Sequence, residues 1–239
     1  MSIQDTDLEV FNAPKGKGRT LLGITNEVAN GGIGPLEIEP SAVPSPECDD
    51  PTTAFDEYTA TQTIYQDSPA HDGVFERGVD ASETANEIGC LVYHDHPKHN
   101  HWHVLDFSKY SLRSEQTAEI SESQKVGFCL LDGSRPFPML PGTPGASFFR
   151  ANCSFGNPSD PPGVMGISVG WSDTYGIGTP GQQIRVDGLP QGRYCLRSEA
   201  DPVDNIIETD DLNNATEVRV RLNPAKLRVK RLTGPCLSG

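Results

Sequence analysis

Short runs of alternating apolar and polar residues recur along the chain, and turns rich in glycine, proline and acidic residues separate them. The clearest run is 216–222, in which Val218, Val220 and Leu222 alternate with charged residues. Because successive side chains of a strand point to opposite faces, this pattern predicts a strand with one buried face. Similar runs predict strands at 8–11, 21–25, 36–39, 101–107, 126–131, 166–169, 183–186, 193–197 and 227–232.

The helical pattern is weak throughout the sequence. No stretch carries a convincing apolar stripe at the 3.6-residue spacing of an amphipathic helix, and 114–124 could form a short surface helix at most. Two segments, 40–53 and 132–163, are rich in proline and are predicted to be irregular. A loop as long as the second is uncommon inside a domain and is usually functional. With no internal repeat or break in composition, we expect one all-β domain over residues 1–239, a β-sandwich with long loops and little helix.

Composition and charge exclude several classes of protein. The 24 glycines and 20 prolines among 239 residues argue against a helical bundle. The net charge of −14 has the wrong sign for a nucleic-acid-binding protein, which needs a cationic surface. It suits attraction of cationic substrates or metal ions, although it could equally serve solubility alone. No apolar run approaches the roughly 18 residues of a membrane span.

The six cysteines are dispersed and form no C-x-x-C pair, which argues against a zinc knuckle or a thioredoxin motif. An even number of dispersed cysteines in a loop-rich chain indicates disulfides and an oxidising compartment. The alternative is six unrelated buried thiols. Residues 1–30 lack the basic-then-apolar pattern of a signal peptide, so we expect either an internal protein or a mature, trimmed chain.

Five of the six histidines lie between positions 94 and 103. His99, His101 and His103 alternate, so on a strand their side chains share one face, whereas on a helix steps of two residues would turn them about 200° apart. Three imidazoles without a thiolate suit copper, zinc or iron. The alternatives are a His-rich surface strand and a cupin-like site, but cupins add a glutamate a few residues on. We expect His96 to orient the site or to stay idle, and His94 to be a surface residue.

The segment HPKHNHWHVLDFSKY at 96–110 resembles the copper-binding motif of the lysyl oxidase family. Three later segments are similar to further family motifs in the same order: KVGFCLLD at 125–132, WSDTYG at 171–176 and ETDDLNN at 208–214. The resemblance spans roughly residues 90–222. The chain departs from the family pattern at Lys109, where a histidine is common, and in a longer loop between Lys125 and Tyr175.

The resemblance implies a secreted enzyme that binds copper through His99, His101 and His103. It also implies a lysine tyrosylquinone cofactor built from Lys125 and Tyr175. Such an enzyme uses molecular oxygen to deaminate peptidyl lysine or small primary amines to aldehydes, releasing ammonia and hydrogen peroxide. The alternative hypothesis is a non-catalytic copper- or zinc-binding β-sandwich in which the quinone never forms.

The family pattern further implies a structural calcium ion and a disulfide framework. The predicted calcium ligands are Glu208, Asp210, Asn213, Asn214, the Asp7 side chain and the Leu8 carbonyl, a set of hard oxygen donors of the kind that calcium prefers. The alternative is an exposed acidic turn. The resemblance implies that Cys129 pairs with Cys153, and we expect Cys48–Cys90 and Cys195–Cys236 as the other pairs.

Overall fold

A computed structural model of the chain describes residues 8–13, 18–49, 55–68, 71–97, 99–117, 120–150 and 153–237. Within these ranges it contains fourteen β-strands and two short 3-10 helices, Asp211–Asn213 and Pro224–Lys226. The all-β prediction is therefore confirmed. None of the helices that the structure describes is long and apolar enough to cross a membrane.

The ten predicted strands each overlap a strand of the structure, and four further strands are present. The strands are β1 (Leu8–Asn12), β2 (Thr20–Ile24), β3 (Asn26–Ala29), β4 (Leu36–Pro40), β5 (Tyr58–Gln66), β6 (Ala81–His94), β7 (His101–Ser114), β8 (Ile120–Phe128), β9 (Met165–Ile167), β10 (Ser172–Tyr175), β11 (Gln183–Arg185), β12 (Gly192–Ala200), β13 (Ala215–Asn223) and β14 (Arg228–Arg231). The four that the pattern missed are β3, β5, β6 and β10.

The strands form three antiparallel sheets. The largest has the order β14-β13-β12-β7-β6-β5-β4-β9, with β8 also paired to β7. A three-stranded sheet has the order β1-β2-β11, and β3 pairs with β10 in a two-stranded sheet. Apolar residues of the small sheets, such as Leu22 and Ile24, belong to the same buried cluster as Leu196 and Val220 of the large sheet. The large and small sheets therefore share one core.

Strand β7 changes partners along its length. Its first residues, 101–104, pair with the end of β6, and residues 108–114 pair with β12. Between these segments Asp106 has a φ of 55°, in the left-handed region, and the register with β8 shifts. Such a bulge bends a strand and re-aims its side chains. The bend directs the histidine-bearing end of β7 toward β6 while its other end stays in the centre of the sheet.

The short surface helix that the sequence allowed at most over 114–124 is absent from the described residues of this segment. Residue 114 is the last of β7, and residues from Ile120 onward belong to β8, so the segment is the turn and start of a hairpin. Its polar residues suit an exposed helix as well as an exposed hairpin, and the pairing of β7 with β8 decides the outcome.

The long segment 132–163 lacks regular strands over its described residues, as predicted. Asp132 anchors it: one carboxylate oxygen accepts hydrogen bonds from the backbone N–H groups of Phe148 and Phe149, and the other accepts from the N–H of Ser168. The segment is therefore tied down by specific contacts without forming a sheet.

All three expected disulfides are present: Cys48–Cys90, Cys129–Cys153 and Cys195–Cys236. The second joins the end of β8 to the long segment, across a sequence separation of 24 residues. Both of its cysteines are buried in the core.

We expect the double variant Cys129→Ser, Cys153→Ser to be less stable than the wild type by about 3 kcal/mol, because the unfolded chain is freed from a cross-link. Denaturant unfolding measures this difference, with the fully reduced wild type as a reference. An unchanged unfolding midpoint, or a free thiol at either position in the native oxidised protein, would contradict the prediction.

Candidate metal centre

The pairing of β6 with β7 and the chain that connects them bring four histidines together. His94 is the last residue of β6 and lies directly opposite His101, the first residue of β7. His103 follows two residues later on the same face of β7. His99 lies in the connection, where its N–H donates a hydrogen bond of 2.8 Å to the carbonyl of His96. Local strand pairing is thus sufficient to gather the imidazoles.

His103 lies at the middle of the cluster. The centroid of its ring is 4.2 Å from that of His94, 4.5 Å from that of His101 and 4.7 Å from that of His99. The Nε2 atoms of His101 and His103 approach to 2.9 Å. His99, His101 and His103 are buried, and His94 is half-buried. The prediction that His94 is a mere surface residue is therefore wrong.

Burial sets the charge of the cluster. It lowers the pKa of His99 to about 4 and that of His101 to about 3, and neighbouring imidazoles add to the effect. Burial likewise holds the pKa of His103 well below its ordinary value. These three rings are neutral at pH 7, and a neutral imidazole carries the free lone pair that a metal ion requires.

The hydrogen bonds of the cluster fit a metal ion. The Nδ1 atoms of His99, His101 and His103 are buried without a hydrogen-bond partner. The backbone carbonyl of Pro180 bonds the ring of His99, and since Nδ1 has no partner, this bond leaves Nδ1 as the donor atom for a ligand. A buried nitrogen without a partner is costly, and a cation bound to it would remove that cost.

Tyr175 lies beside the histidines. It is the last residue of β10, and its ring centroid is 5.6 Å from that of His99 and 6.0 Å from that of His103. The ring of Phe128 packs on it at 4.1 Å, and the phenolic oxygen accepts a 2.6 Å hydrogen bond from the N–H of Cys129. Burial raises the pKa of the phenol, so Tyr175 is neutral and held in place.

Lys125 lies in β8, opposite Lys109 of β7. Its side chain is outside the described part of the structure, so no contact between Lys125 and Tyr175 is described. Two residues later, Gly127 approaches His103 closely: a Cβ there would lie 3.0 Å from the Cβ of His103. The strand that carries Lys125 therefore runs against the histidine cluster.

Asp173 is a further residue of interest that the sequence pattern did not single out. It is 3% exposed and, two residues before Tyr175 on β10, it shares the strand face of that tyrosine. One carboxylate oxygen accepts from the N–H of Thr174, and the other has no partner. Burial raises the pKa of Asp173 to about 7. The only signal in the sequence was an acidic residue two positions before the motif tyrosine. Its burial, which makes it notable, is not visible in the sequence.

The residues of the predicted calcium site are only partly assembled. Asn214 donates a 2.6 Å hydrogen bond to Glu208, and Asp210 caps the helix Asp211–Asn213 by accepting from the N–H of Leu212. These residues and Asn213 border a cavity of about 430 Å³. Leu8 lines a different cavity, beside β14, and Asp7 lies outside the described residues. The calcium ion therefore stays a prediction.

The raised pKa of Asp173 predicts a pH dependence of stability. Its value of about 7 lies above the roughly 3.9 of an unfolded chain, so the folded state binds this proton more tightly than the unfolded state does. The stability gained from that proton is complete below pH 4 and is lost as the pH rises through 7. Asp173→Asn should therefore gain stability relative to the wild type between pH 4 and pH 8, by up to about 4 kcal/mol. Urea unfolding at several pH values measures the difference. Exposed Asp95→Asn is the control, and parallel profiles for Asp173→Asn and the wild type would contradict the assignment.

The comparisons with known proteins agree with these motifs. The lysyl oxidase family model matches residues 75–232. Human lysyl oxidase homolog 1 is 28% identical over 127 residues, which are 52% of this chain and 20% of that protein. Human protein-lysine 6-oxidase is 28% identical over 128 residues, 53% of this chain and 27% of that protein. Zebrafish lysyl oxidase homolog 3B is 27% identical over 135 residues, 56% of this chain and 15% of that protein. The match covers between 15% and 27% of the length of these relatives. The family model covers more than half of this chain, and the chain therefore belongs to the lysyl oxidase family.

Proposed function

We propose that this protein is a secreted, copper-dependent amine oxidase with a quinone cofactor made from its own Lys125 and Tyr175. In the overall reaction, a primary amine, oxygen and water give an aldehyde, ammonia and hydrogen peroxide. The observation that carries the proposal is the position of Tyr175, whose buried ring packs at 5.6 Å and 6.0 Å from two rings of the histidine cluster. A protein that only stores metal has no need of a buried tyrosine at that distance.

The three neutral imidazoles of His99, His101 and His103 would hold the copper ion. Copper supplies the redox chemistry that converts the tyrosine, and the quinone supplies an electron sink that ordinary side chains lack. The amine of Lys125 would form the covalent bond to the ring of Tyr175. Membership of the lysyl oxidase family supports both roles.

The surroundings of Tyr175 position its ring. The N–H of Cys129 holds the phenolic oxygen, and Phe128 packs against one face of the ring. Asp173, buried two residues away with a pKa of about 7, is able to hold or release a proton near neutral pH.

The charge and surface of the protein favour a cationic, partly apolar substrate. The net charge of −14 attracts ammonium groups. Phe155 is 54% exposed, and its ring centroid lies 4.3 Å from that of His101. An exposed aromatic ring beside the site suits the methylene chain of a lysine side chain or an alkyl amine. We therefore propose lysine-containing proteins or peptides, or small primary amines, as substrates, and the three disulfides support secretion into an oxidising compartment.

The proposed activity is tested with copper-loaded protein and a lysine peptide or an alkyl amine, by measuring hydrogen peroxide. His101→Ala should lose both bound copper and activity. Lys125→Ala should fold and keep copper but release no peroxide, and peptide mapping of the wild type should find the segments of Lys125 and Tyr175 joined. Lys230→Ala, which removes an exposed lysine on β14, is the matched control.

The outcomes separate the two hypotheses. Peroxide release at the wild-type rate from Lys125→Ala would contradict the cofactor assignment. A colourless wild-type protein that binds copper, carries no cross-link and oxidises no amine would instead be the non-catalytic metal-binding protein.

We also propose a structural calcium ion at Glu208, Asp210, Asn213 and Asn214, completed by Asp7 and the Leu8 carbonyl. An ion that binds the folded state alone raises the melting temperature. We expect calcium to raise it and a calcium-selective chelator to lower it, with Asp210→Ala insensitive to both. Glu47→Ala, in another exposed loop, should respond like the wild type. A wild-type melting temperature that calcium does not change would exclude the site.

A further inference from the structure

His94 has the shortest ring-to-ring distance to the central histidine of the cluster, 4.2 Å to the ring centroid of His103. It offers a ring nitrogen that lies within 4.8 Å of ligand nitrogens on both His99 and His103. Two nitrogens bound to one ion at about 2.0–2.1 Å can lie no more than about 4.2 Å apart. Separations of at most 4.8 Å exceed this limit by no more than about 0.6 Å, so small movements of the rings would let the nitrogens share one ion.

We propose that His94 is a fourth protein ligand of the metal ion, alongside the three histidines at 99, 101 and 103. The inference rests on the proposed function only in requiring that these three residues hold a metal. It adds a ligand from a second strand, so the ion would cross-link β6 to β7.

The backbone supports this role. Because His94 and His101 are paired residues at the closed end of an antiparallel hairpin, the register fixes the side chain of His94 next to the cluster. The half-buried ring packs edge-on to His99 at a centroid distance of 5.9 Å. A surface histidine with no role in the cluster would be expected to turn its ring toward solvent instead of packing against two buried imidazoles.

The neighbouring histidine provides a contrast. The ligand atoms of His94, His99 and His103 lie within 4.8 Å of one another. His101 joins this group through its Nε2 atom, 2.9 Å from that of His103, whereas His96 is exposed and outside the group. Four neutral imidazoles without thiolate or carboxylate form a donor set that suits Cu(II) or Zn(II). A fourth imidazole also leaves one position fewer for water or oxygen, so His94 would tune both the affinity of the site and its open coordination.

The first measurement uses the copper-loaded wild-type chain. X-ray absorption or pulsed EPR spectroscopy counts the imidazoles bound to copper, and we expect four. A count of three would overturn the proposal while leaving the proposed function intact. A wild-type protein that binds no copper at all would overturn both.

The second measurement compares variants by chelator competition. His94→Gln should still bind copper, but at least about tenfold more weakly, and its imidazole count should fall by one. His71→Gln, at an exposed histidine outside the cluster, should match the wild type in affinity and count. Unchanged affinity and an unchanged count in His94→Gln would overturn the proposal. Melting of the metal-free variants checks folding, and the wild-type count stands independently of any variant.

Discussion

The pairing of the end of β6 with the start of β7 is the constraint on which the candidate site depends. It sets His94 opposite His101 and turns the intervening chain so that His99 joins them. The same strand, β7, pairs with β8 on its other edge, and β8 carries Lys125 and leads into Phe128 and Cys129. One strand therefore connects the candidate metal ligands to the residues that hold Tyr175.

Burial gives this arrangement its chemistry. Ordinary surface histidines are partly protonated near pH 6.5 and would repel a cation. Desolvation in the core lowers the pKa of His99 and His101, so the cluster presents lone pairs at neutral pH. The same desolvation raises the pKa of Asp173 and of Tyr175. A single physical cause thus keeps the bases neutral, the phenol protonated and a carboxyl close to its titration point.

Much of the fold and part of the site follow from the sequence. Apolar alternation predicts ten strands correctly, and the spacing of His101 and His103 predicts that they share a face of β7. His99 precedes that strand and joins the other two from the connection. Strands β5 and β6 were missed because their buried positions include polar residues: Gln62, for instance, is buried and bonds the backbone of Ile207. A scale that counts only apolar residues does not recognise such a strand.

The residues that sequence reasoning missed at the site share a different cause. Alternation describes one strand at a time, whereas His94 reaches the cluster through a partner on another strand. Asp173 likewise owes its properties to burial under segments distant in sequence. The segment 114–124, which the sequence allowed to be a short helix at most, belongs to β7 and β8 for the same reason, since cross-strand pairing outweighs local propensity.

The long irregular segment is best understood as the cover of the site. Cys153, within this segment, is tied to Cys129 by a disulfide. Its carbonyl accepts a hydrogen bond from the N–H of Trp102, which lies between two of the histidines. Further along, the carbonyl of Asp160 accepts from the indole of Trp102, and Phe155 lies over His101. These contacts fix this part of the loop without strand pairing, and they place its backbone against β7. Covering the imidazoles in this way excludes water from them, and that exclusion is the desolvation on which their neutral state depends.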